Sequence, residues 1–258
     1  MKDSIQTLIL GGYSAKEAST ILKIPVRRVH HLANTQGLNF LRKSKYSLDY
    51  ERFSTKLHTE ETYYLLGYLY ADGYINPNKG LINITSKDKE ILEKLVFLIG
   101  DIPIKENNSC YNIQWYSKKH IQQLIDLGCY NKKSLILEYP NWLHKDLEHH
   151  FIRGYFDGDG SIGLYNRTGK DKRPSKVLKV NIAGTKNFLE GIKNYINNKG
   201  SISKTSSIYL LQYGGNASSS IFCEKIYKNS TLYMERKHDV YFRGFIPYRY
   251  FIDNKIEI

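Results

Sequence analysis

Asp72 and Asp159 hold the same place in two copies of one pattern. The first copy reads Leu65-Leu66-Gly67-Tyr68-Leu69-Tyr70-Ala71-Asp72-Gly73-Tyr74-Ile75. The second, 87 residues later, reads Ile152-Arg153-Gly154-Tyr155-Phe156-Asp157-Gly158-Asp159-Gly160-Ser161-Ile162. A single Asp-Gly is an ordinary turn. Here each Asp closes an apolar helical run, at the end where the macrodipole is negative and a carboxylate is disfavoured. If the two helices pack side by side, the acids also approach each other, and like charges need a cation to offset them. Hard oxygen ligands favour a divalent ion, magnesium first.

The elements that must position these acids follow from the surrounding residues. Thr59 is suited to cap the first helix, with Glu60 and Glu61 at its positive end. Leu65, Leu66 and Leu69 make that helix apolar around much of its girth, so it should be buried. Gly67 and Ala71 are four residues apart, as are Gly154 and Gly158, so each helix carries a face of small residues that lets two backbones approach closely. These four are the expected helix–helix interface. Gly73 and Gly160 are expected as left-handed C-caps.

The repetition extends beyond the two motifs. Asn83-Ile84-Thr85 matches Asn181-Ile182-Ala183, Ile91 to Leu95 matches Phe188 to Ile192, and Ile113-Gln114-Trp115 matches Leu211-Gln212-Tyr213. The growing offset places an insertion in the first hairpin of the second copy. Each copy reads as helix, two strands, helix, two strands, helix. The first has helices near 60–72, 87–99 and 118–128 and strands near 73–77, 80–86, 102–105 and 110–116. The second has helices near 146–159, 185–198 and 218–228 and strands near 161–167, 176–183, 201–205 and 208–213.

LLGYLYADG and IRGYFDGDG resemble the signature of the LAGLIDADG homing endonucleases, in the single-chain form with two motifs, over residues 59–258. The resemblance implies an α+β fold of two pseudo-symmetric αββαββα halves whose antiparallel sheets form a saddle over DNA. It implies a site-specific, monomeric endonuclease that cuts both strands of a long double-stranded target across the minor groove, leaving short 3′ overhangs. It also implies a Mg2+ cofactor, for which Mn2+ can substitute. Asp72 and Asp159 would be the metal ligands and indispensable acids, joined by the carbonyls of Ala71 and Gly158. Tyr70 departs from the family, which has an acid there; Asp157 keeps it. A basic residue after each half is implied as catalytic, and Lys133 and Lys237 fit, with Lys132 and Arg236 as adjacent rivals. In the second hairpin Arg167, Lys170, Lys172, Arg173, Lys176 and Lys179 form either a phosphate-tracking arm or a solvated loop.

Residues 1–40 read separately. Ser14 and Glu17 form a capping box, Ala18, Ile21 and Leu22 one apolar face, and Pro25 the start of a second helix. That helix turns Val29 and Leu32 inward, carries Arg27, Arg28, His30 and His31 elsewhere, and is closed by Gly37. The pair resembles a helix-turn-helix DNA reader, small and all-α, although Lys23 stands where a left-handed turn favours Gly. A plain helical hairpin is the other reading. Residues 41–58 look like a basic linker, and the halves are expected at 59–145 and 146–258.

Composition agrees with a polyanionic partner. Among 258 residues, 38 Lys and Arg against 25 Asp and Glu leave +13 at pH 7. AT-rich coding DNA would by itself enrich Lys, Ile, Asn and Tyr. No apolar run reaches the ~20 residues of a membrane span, and the N-terminus makes a poor secretory signal. Cys110, Cys129 and Cys223 are too scattered for a disulfide framework or zinc finger. The expected setting is cytoplasmic or nucleoid-associated, with no membrane partner and no small-molecule substrate. An RNA maturase or a DNA-binding regulator on the same fold is the alternative, but retention of both acids argues against a binding role alone. An intein, expected to open on a nucleophilic Cys and end His-Asn, is disfavoured by Met1 and Ile256-Glu257-Ile258.

Overall fold

The computed structural model describes residues 2–10, 13–38, 40, 46–49, 52–53, 58–131, 133–168 and 174–253. Three short helices come first: α1 (Lys2–Leu10), α2 (Ala15–Leu22) and α3 (Val26–Asn34). They share a small core of Ile5, Ile9, Ala15, Ala18, Val29 and Ala33, distinct from the main core. Ile21, expected on the apolar face, is instead 52% exposed; Ala18, three residues earlier, makes the buried contact.

The first repeat runs α4 (Glu60–Asp72), β1 (Gly73–Asn76), β2 (Leu81–Ser86), α5 (Lys89–Ile99), β3 (Lys105–Asn107), β4 (Cys110–Tyr116) and α6 (Lys118–Asp126). The second runs α7 (Glu148–Asp159), β5 (Gly160–Thr168), β6 (Pro174–Gly184), α8 (Lys186–Ile196), β7 (Ser201–Lys204), β8 (Tyr209–Gly214) and α9 (Asn216–Ile226). Each repeat forms one antiparallel four-stranded sheet, ordered β1-β2-β4-β3 and β5-β6-β8-β7. The first hairpin of the second sheet carries the inserted length: β5 and β6 have 9 and 11 residues against 4 and 6 in β1 and β2.

Alternation decides which side of each sheet is covered. Ile82, Ile84, Ile113 and Trp115 are buried in the first sheet, and Val180, Ile182, Leu211 and Tyr213 in the second. The residues between them, Asn83 and Gln114 in one and Asn181 and Gln212 in the other, take the opposite face as register partners.

Helices α4 and α7 pack on each other through glycine. A Cβ built on Gly67 would lie 2.0 Å from the Phe151 carbonyl oxygen, and one on Gly154 2.0 Å from that of Tyr64. The same holds nearer the acids, where a Cβ on Gly158 would fall 2.3 Å from the Ala71 Cβ.

The structure departs from expectation in two places. Gly73 and Gly160 are not left-handed: their φ values are −72° and −97°, and each begins a strand directly after the helix. Glycine is needed there for space, since a Cβ would lie 2.5 Å from the carbonyl oxygen of Leu69 or Phe156. The stretch read as a linker contributes structure as well. Leu48 bridges Gly100, Asp49 N–H donates to the Ile99 carbonyl at 2.8 Å, and Phe53 is buried against the His120 ring.

After α9 come α10 (Glu235–Asp239), a π-helical turn (Val240–Phe245) and α11 (Ile246–Asp253). Pro247 lacks the N–H a regular ladder would need, which accounts for the local change of pitch. The Tyr248 hydroxyl accepts from Lys176 N–H at 2.8 Å, bracing the long hairpin.

Candidate active site

Asp72 and Asp159 are the last residues of α4 and α7, so the glycine-mediated contact brings two helix C-termini together. A Cβ on Gly158 would stand 3.4 Å from an Asp72 carboxylate oxygen, which puts that carboxylate against the last turn of the partner helix. Both side chains reach solvent, yet protein surrounds most of each carboxylate. That desolvation lifts both pKa values. Asp159 rises to about 6, with the Asp72 charge as the second cause. Lys237 and Lys133 pull both acids back down.

The two lysines are placed alike. Lys133 is 8% exposed and Lys237 3%. Lys133 Nζ donates to the carbonyl of Gly73, and Lys237 Nζ to that of Gly160 at 2.5 Å, in each case the residue after the motif acid. Lys237 also donates to the carbonyls of Phe156 (2.7 Å) and Asp157 (2.8 Å). An ammonium with three N–H groups on three carbonyls has none left for a substrate phosphate. Lys237 therefore acts as a positive charge behind the acids, offsetting a negative helix end, and the Lys133 charge lowers the same two acids from the matching place. Burial pushes Lys237 down to about 8, opposed mainly by the Asp157 charge.

Each lysine caps the motif of its own half, while its chain neighbours grip the other half. Beside Lys133, the Leu137 carbonyl accepts from Thr185 Oγ1 at 2.5 Å, Glu138 accepts from Asn187 Nδ2 at 3.2 Å, and the Tyr139 ring fills the space over Gly191. Beside Lys237, Arg236 pairs with Asp88 at 3.0 Å, and Lys94 donates to the Tyr233 carbonyl at 3.1 Å. Arg236, the rival of Lys237, is thus a cross-half tie. Lys132 lies outside the described residues.

The donor set can be weighed against the expected cation. Among the described residues no group of three or more His, Cys, Asp and Glu side chains could hold a metal ion. Zinc-type closed coordination is therefore unsupported. Two carboxylates lifted by burial, Asp159 further by the Asp72 charge, with helix-end carbonyls of Ala71 and Gly158 in the same turns, suit magnesium. That ion keeps several waters and takes only one or two carboxylates besides substrate phosphates.

The basic candidates divide by place. Arg167, Lys176 and Lys179 are exposed on β5 and β6, and Lys179 Nζ lies 5.4 Å from the Tyr165 ring centroid. Lys170, Lys172 and Arg173 lie outside the described residues. Arg27, Arg28, His30 and His31 are all exposed on α3.

Several roles in the site escape a reading of the sequence. Asp157 is fully buried and accepts from the Tyr64 hydroxyl at 2.7 Å and from Met234 N–H at 2.8 Å, so it serves the helix interface. Burial raises it to about 6 against the pull of Lys237. Arg153 is fully buried and donates to Glu60 (2.6 Å) and to the carbonyls of Leu232 and Ile226 (both 2.8 Å). An arginine where the first motif has Leu66 is the signal that could have predicted a buried partner. On the open face of the second sheet, Gln212 Nε2 donates to Asn181 Oδ1 at 3.1 Å, and Asn181 Nδ2 reaches Ser161 Oγ at 3.4 Å.

Comparison with known proteins bears on all of this. Residues 59–122 match the family model described as a LAGLIDADG-like domain. Among solved structures, the chain is similar to the LAGLIDADG meganuclease I-AabMI bound to uncleaved DNA (TM-score 0.56, 12% identity, 75% of this chain and 91% of that one). Meganuclease I-SmaMI bound to uncleaveable DNA matches with TM-score 0.55 and 13% identity, over 75% of this chain and 90% of that one. The LAGLIDADG homing endonuclease I-GzeII in complex with its DNA target gives TM-score 0.55 and 12% identity, over 75% and 91%. A further I-SmaMI structure, with uncleaved DNA and calcium ions, gives TM-score 0.54 at 12% identity, over 75% and 92%. At these identities the likeness is one of fold. A curated relative, glutamine–fructose-6-phosphate aminotransferase [isomerizing] of Methanocaldococcus jannaschii, is 28% identical over 164 residues; the match covers 57% of this chain and 14% of that protein.

Proposed function

We propose that this chain, with its LAGLIDADG-like domain on the fold of the LAGLIDADG meganucleases, is a site-specific endonuclease that hydrolyses both strands of double-stranded DNA. The observation that carries the reading is the meeting of Asp72 and Asp159 at two abutting helix C-termini, each backed by a buried lysine. Two carboxylates held where the helix dipole opposes them serve folding poorly, and so are best explained by an offsetting cation.

Asp72 and Asp159 would hold a divalent cation, magnesium or manganese, with the carbonyls of Ala71 and Gly158. Such an ion polarises a phosphate and lowers the pKa of a bound water. The lysine charges keep the acids ionised and add positive potential where phosphate charge develops. Because Lys237 is committed to three carbonyls, its contribution is through space. Cutting would run across the minor groove and leave short 3′ overhangs, with a monomer as the active unit because both motifs lie in one chain.

Sequence would be read from the open sheet faces. An Asn or Gln amide pairs bidentately with adenine in the major groove. Asn83 with Gln114, and Asn181 with Gln212, place such amides at matching positions of the two sheets. Arg167, Lys176 and Lys179, with Lys170, Lys172 and Arg173 of the same hairpin, would track phosphates.

The test is cleavage of a randomised duplex library by the purified chain with Mg2+ or Mn2+. Wild type should cut both strands of a defined site, and Asp72→Asn or Asp159→Asn should bind that site without cutting it. Cutting at the wild-type rate by either variant would overturn the assignment.

A further inference from the structure

Helices α1 to α3 close a core of their own that the cleavage machinery does not use. The turn between α2 and α3 is the informative part. Lys23 adopts φ 55° and ψ 38°, the left-handed conformation such a turn requires, without being glycine. It is stabilised locally: Ile24 N–H returns to the Ser19 carbonyl at 3.2 Å, and Ser19 Oγ donates to the Ile24 carbonyl at 2.6 Å. The other end of α2 is fixed by the reciprocal Ser14–Glu17 cap. A left-handed non-glycine residue costs energy, so its presence here marks a turn whose geometry matters.

Helix α3 packs on both α1 and α2 through Val29 (0% exposed) and Ala33 (1% exposed). Its opposite side, Arg27, Arg28, His30, His31 and Asn34, is exposed throughout. Neither arginine has an acidic partner among the described residues. The one acid between Tyr13 and Leu38 is Glu17, which is engaged at the Ser14 cap, against four cations, Lys16, Lys23, Arg27 and Arg28. A helix free on one side, cationic and ending in a polar amide, has the width and chemistry to enter a major groove.

We propose that α3 is a second DNA-reading element, which docks in the major groove of duplex flanking the cleavage site on one side only. This rests on the nuclease reading for the identity of the duplex, but uses none of its residues. The target is then asymmetric although the nuclease halves are pseudo-symmetric, because this unit occurs once. Arg27 and Arg28 would meet phosphates, and His30, His31 and Asn34 base edges.

The experiment compares the full-length wild type with Arg27→Ala/Arg28→Ala, both exposed positions, on a site selected by binding without divalent cation. Hydroxyl-radical footprints should show wild-type protection running past the central region on one side, and the variant should lose only that flank. The variant should bind the long duplex at least about tenfold more weakly, with a salt slope flatter by about 2, since each lost phosphate contact removes nearly one counterion. With Mg2+, it should still cut a duplex trimmed to the central region at the wild-type rate. Identical footprints and slopes for both proteins would overturn the proposal and leave the nuclease reading intact. Loss of binding to structured RNA alone, with duplex binding unchanged, would overturn it in favour of an RNA contact. Flank protection without any cutting would uphold it while sinking the nuclease reading.

Discussion

The Tyr64 hydroxyl donates to Asp157 Oδ2 at 2.7 Å, tying the first motif helix to an acid at the heart of the second. At the equivalent place in the first motif stands Tyr70, whose hydroxyl donates to the Leu127 carbonyl. The two halves thus solve one packing position with different polar groups. Tyr64→Phe removes a donor from a buried carboxyl, and hydrogen bonds to charged groups are worth about 1.5–3 kcal/mol. The expected result is a Tm several degrees lower, with both motif acids untouched. An unchanged Tm would show that Met234 N–H and the Lys237 charge suffice for Asp157.

The glycine contact gives a sharper expectation. Gly67→Ala and Gly154→Ala each drive a methyl to 2.0 Å from a carbonyl oxygen of the other helix. Backbone cannot yield as a flexible side chain does, so each should cost about 1–3 kcal/mol or more. Cleavage should fall with stability, because parting the helices also parts Asp72 and Asp159. Gly214→Ala is the control: a Cβ there meets nothing within 4 Å. Equal denaturation midpoints for Gly154→Ala and Gly214→Ala would refute the close-contact account.

Acid should weaken the fold through His120. Its ring is buried, takes the Trp115 Nε1–H on Nδ1 at 3.1 Å, and so carries its proton on Nε2, 3.0 Å from the Asp49 carbonyl. Burial lowers its pKa from 6.5 to about 4. Between those values the unfolded chain takes up a proton that the folded chain refuses. Stability is therefore intact above pH 6.5 and declines toward pH 4, by about 3 kcal/mol from this group. Burial depresses His149 and His150 in the same direction. Urea titrations at pH 7 and pH 5 should differ less for His120→Gln than for wild type; an equal difference would remove His120 from the account.

Asp159→Asn should separate activity from stability. Its carboxyl is raised to about 6, so ionisation near neutral pH strains the folded state. Because the group reaches solvent, the relief on removing the charge is discounted for screening to about 1 kcal/mol. For a chain of this size that corresponds to a Tm about 2–4 °C higher. The expected variant is inactive and more stable in the absence of divalent cation; a lower Tm would mean that the acid is satisfied by the protein alone.

Base readout predicts a local change. Gln212→Ala should relax preference at one base pair of the selected site by about 1–3 kcal/mol, and Gln114→Ala at the pair related to it by the pseudo-twofold. Library selection with each variant would map the two positions. Uniform weakening across all positions would assign both amides to structure instead of readout.

The sequence made much of this legible because duplication writes the same physical demand twice. Gly67 and Gly154, or Asn83 and Asn181, could be aligned before any contact was known. Strands and helices followed from alternation and caps, as at Ser14 and Thr59, whose side chains accept from N–H groups three residues on. The misreadings have one origin. Residue type alone suggests a left-handed conformation at Gly73 and Gly160, whereas the demand is steric and set by the helix behind them. Phe53, within a segment of mixed polarity, has no periodic neighbours to reveal its burial, because residues distant in sequence, His120 among them, make it core. The motif resemblance picks out Lys237 beside its rival Arg236, but its commitment to three carbonyls emerges only from the fold. Buried polar pairs such as Glu60 and Arg153 are 93 residues apart and leave no local pattern.

The crossing of the lysine segments limits how this molecule can be recombined. A hybrid joining one half to the half of a relative, cut simply between α6 and α7, would keep each acid with its capping lysine. It would nevertheless mismatch Asp88 with Arg236, Lys94 with the Tyr233 carbonyl, and Thr185 with the Leu137 carbonyl. Grafts that carry 133–139 and 233–237 together with their seats on α8 and α5 preserve these ties. Drift in one half is accordingly constrained by the other, as in two parts machined as a set.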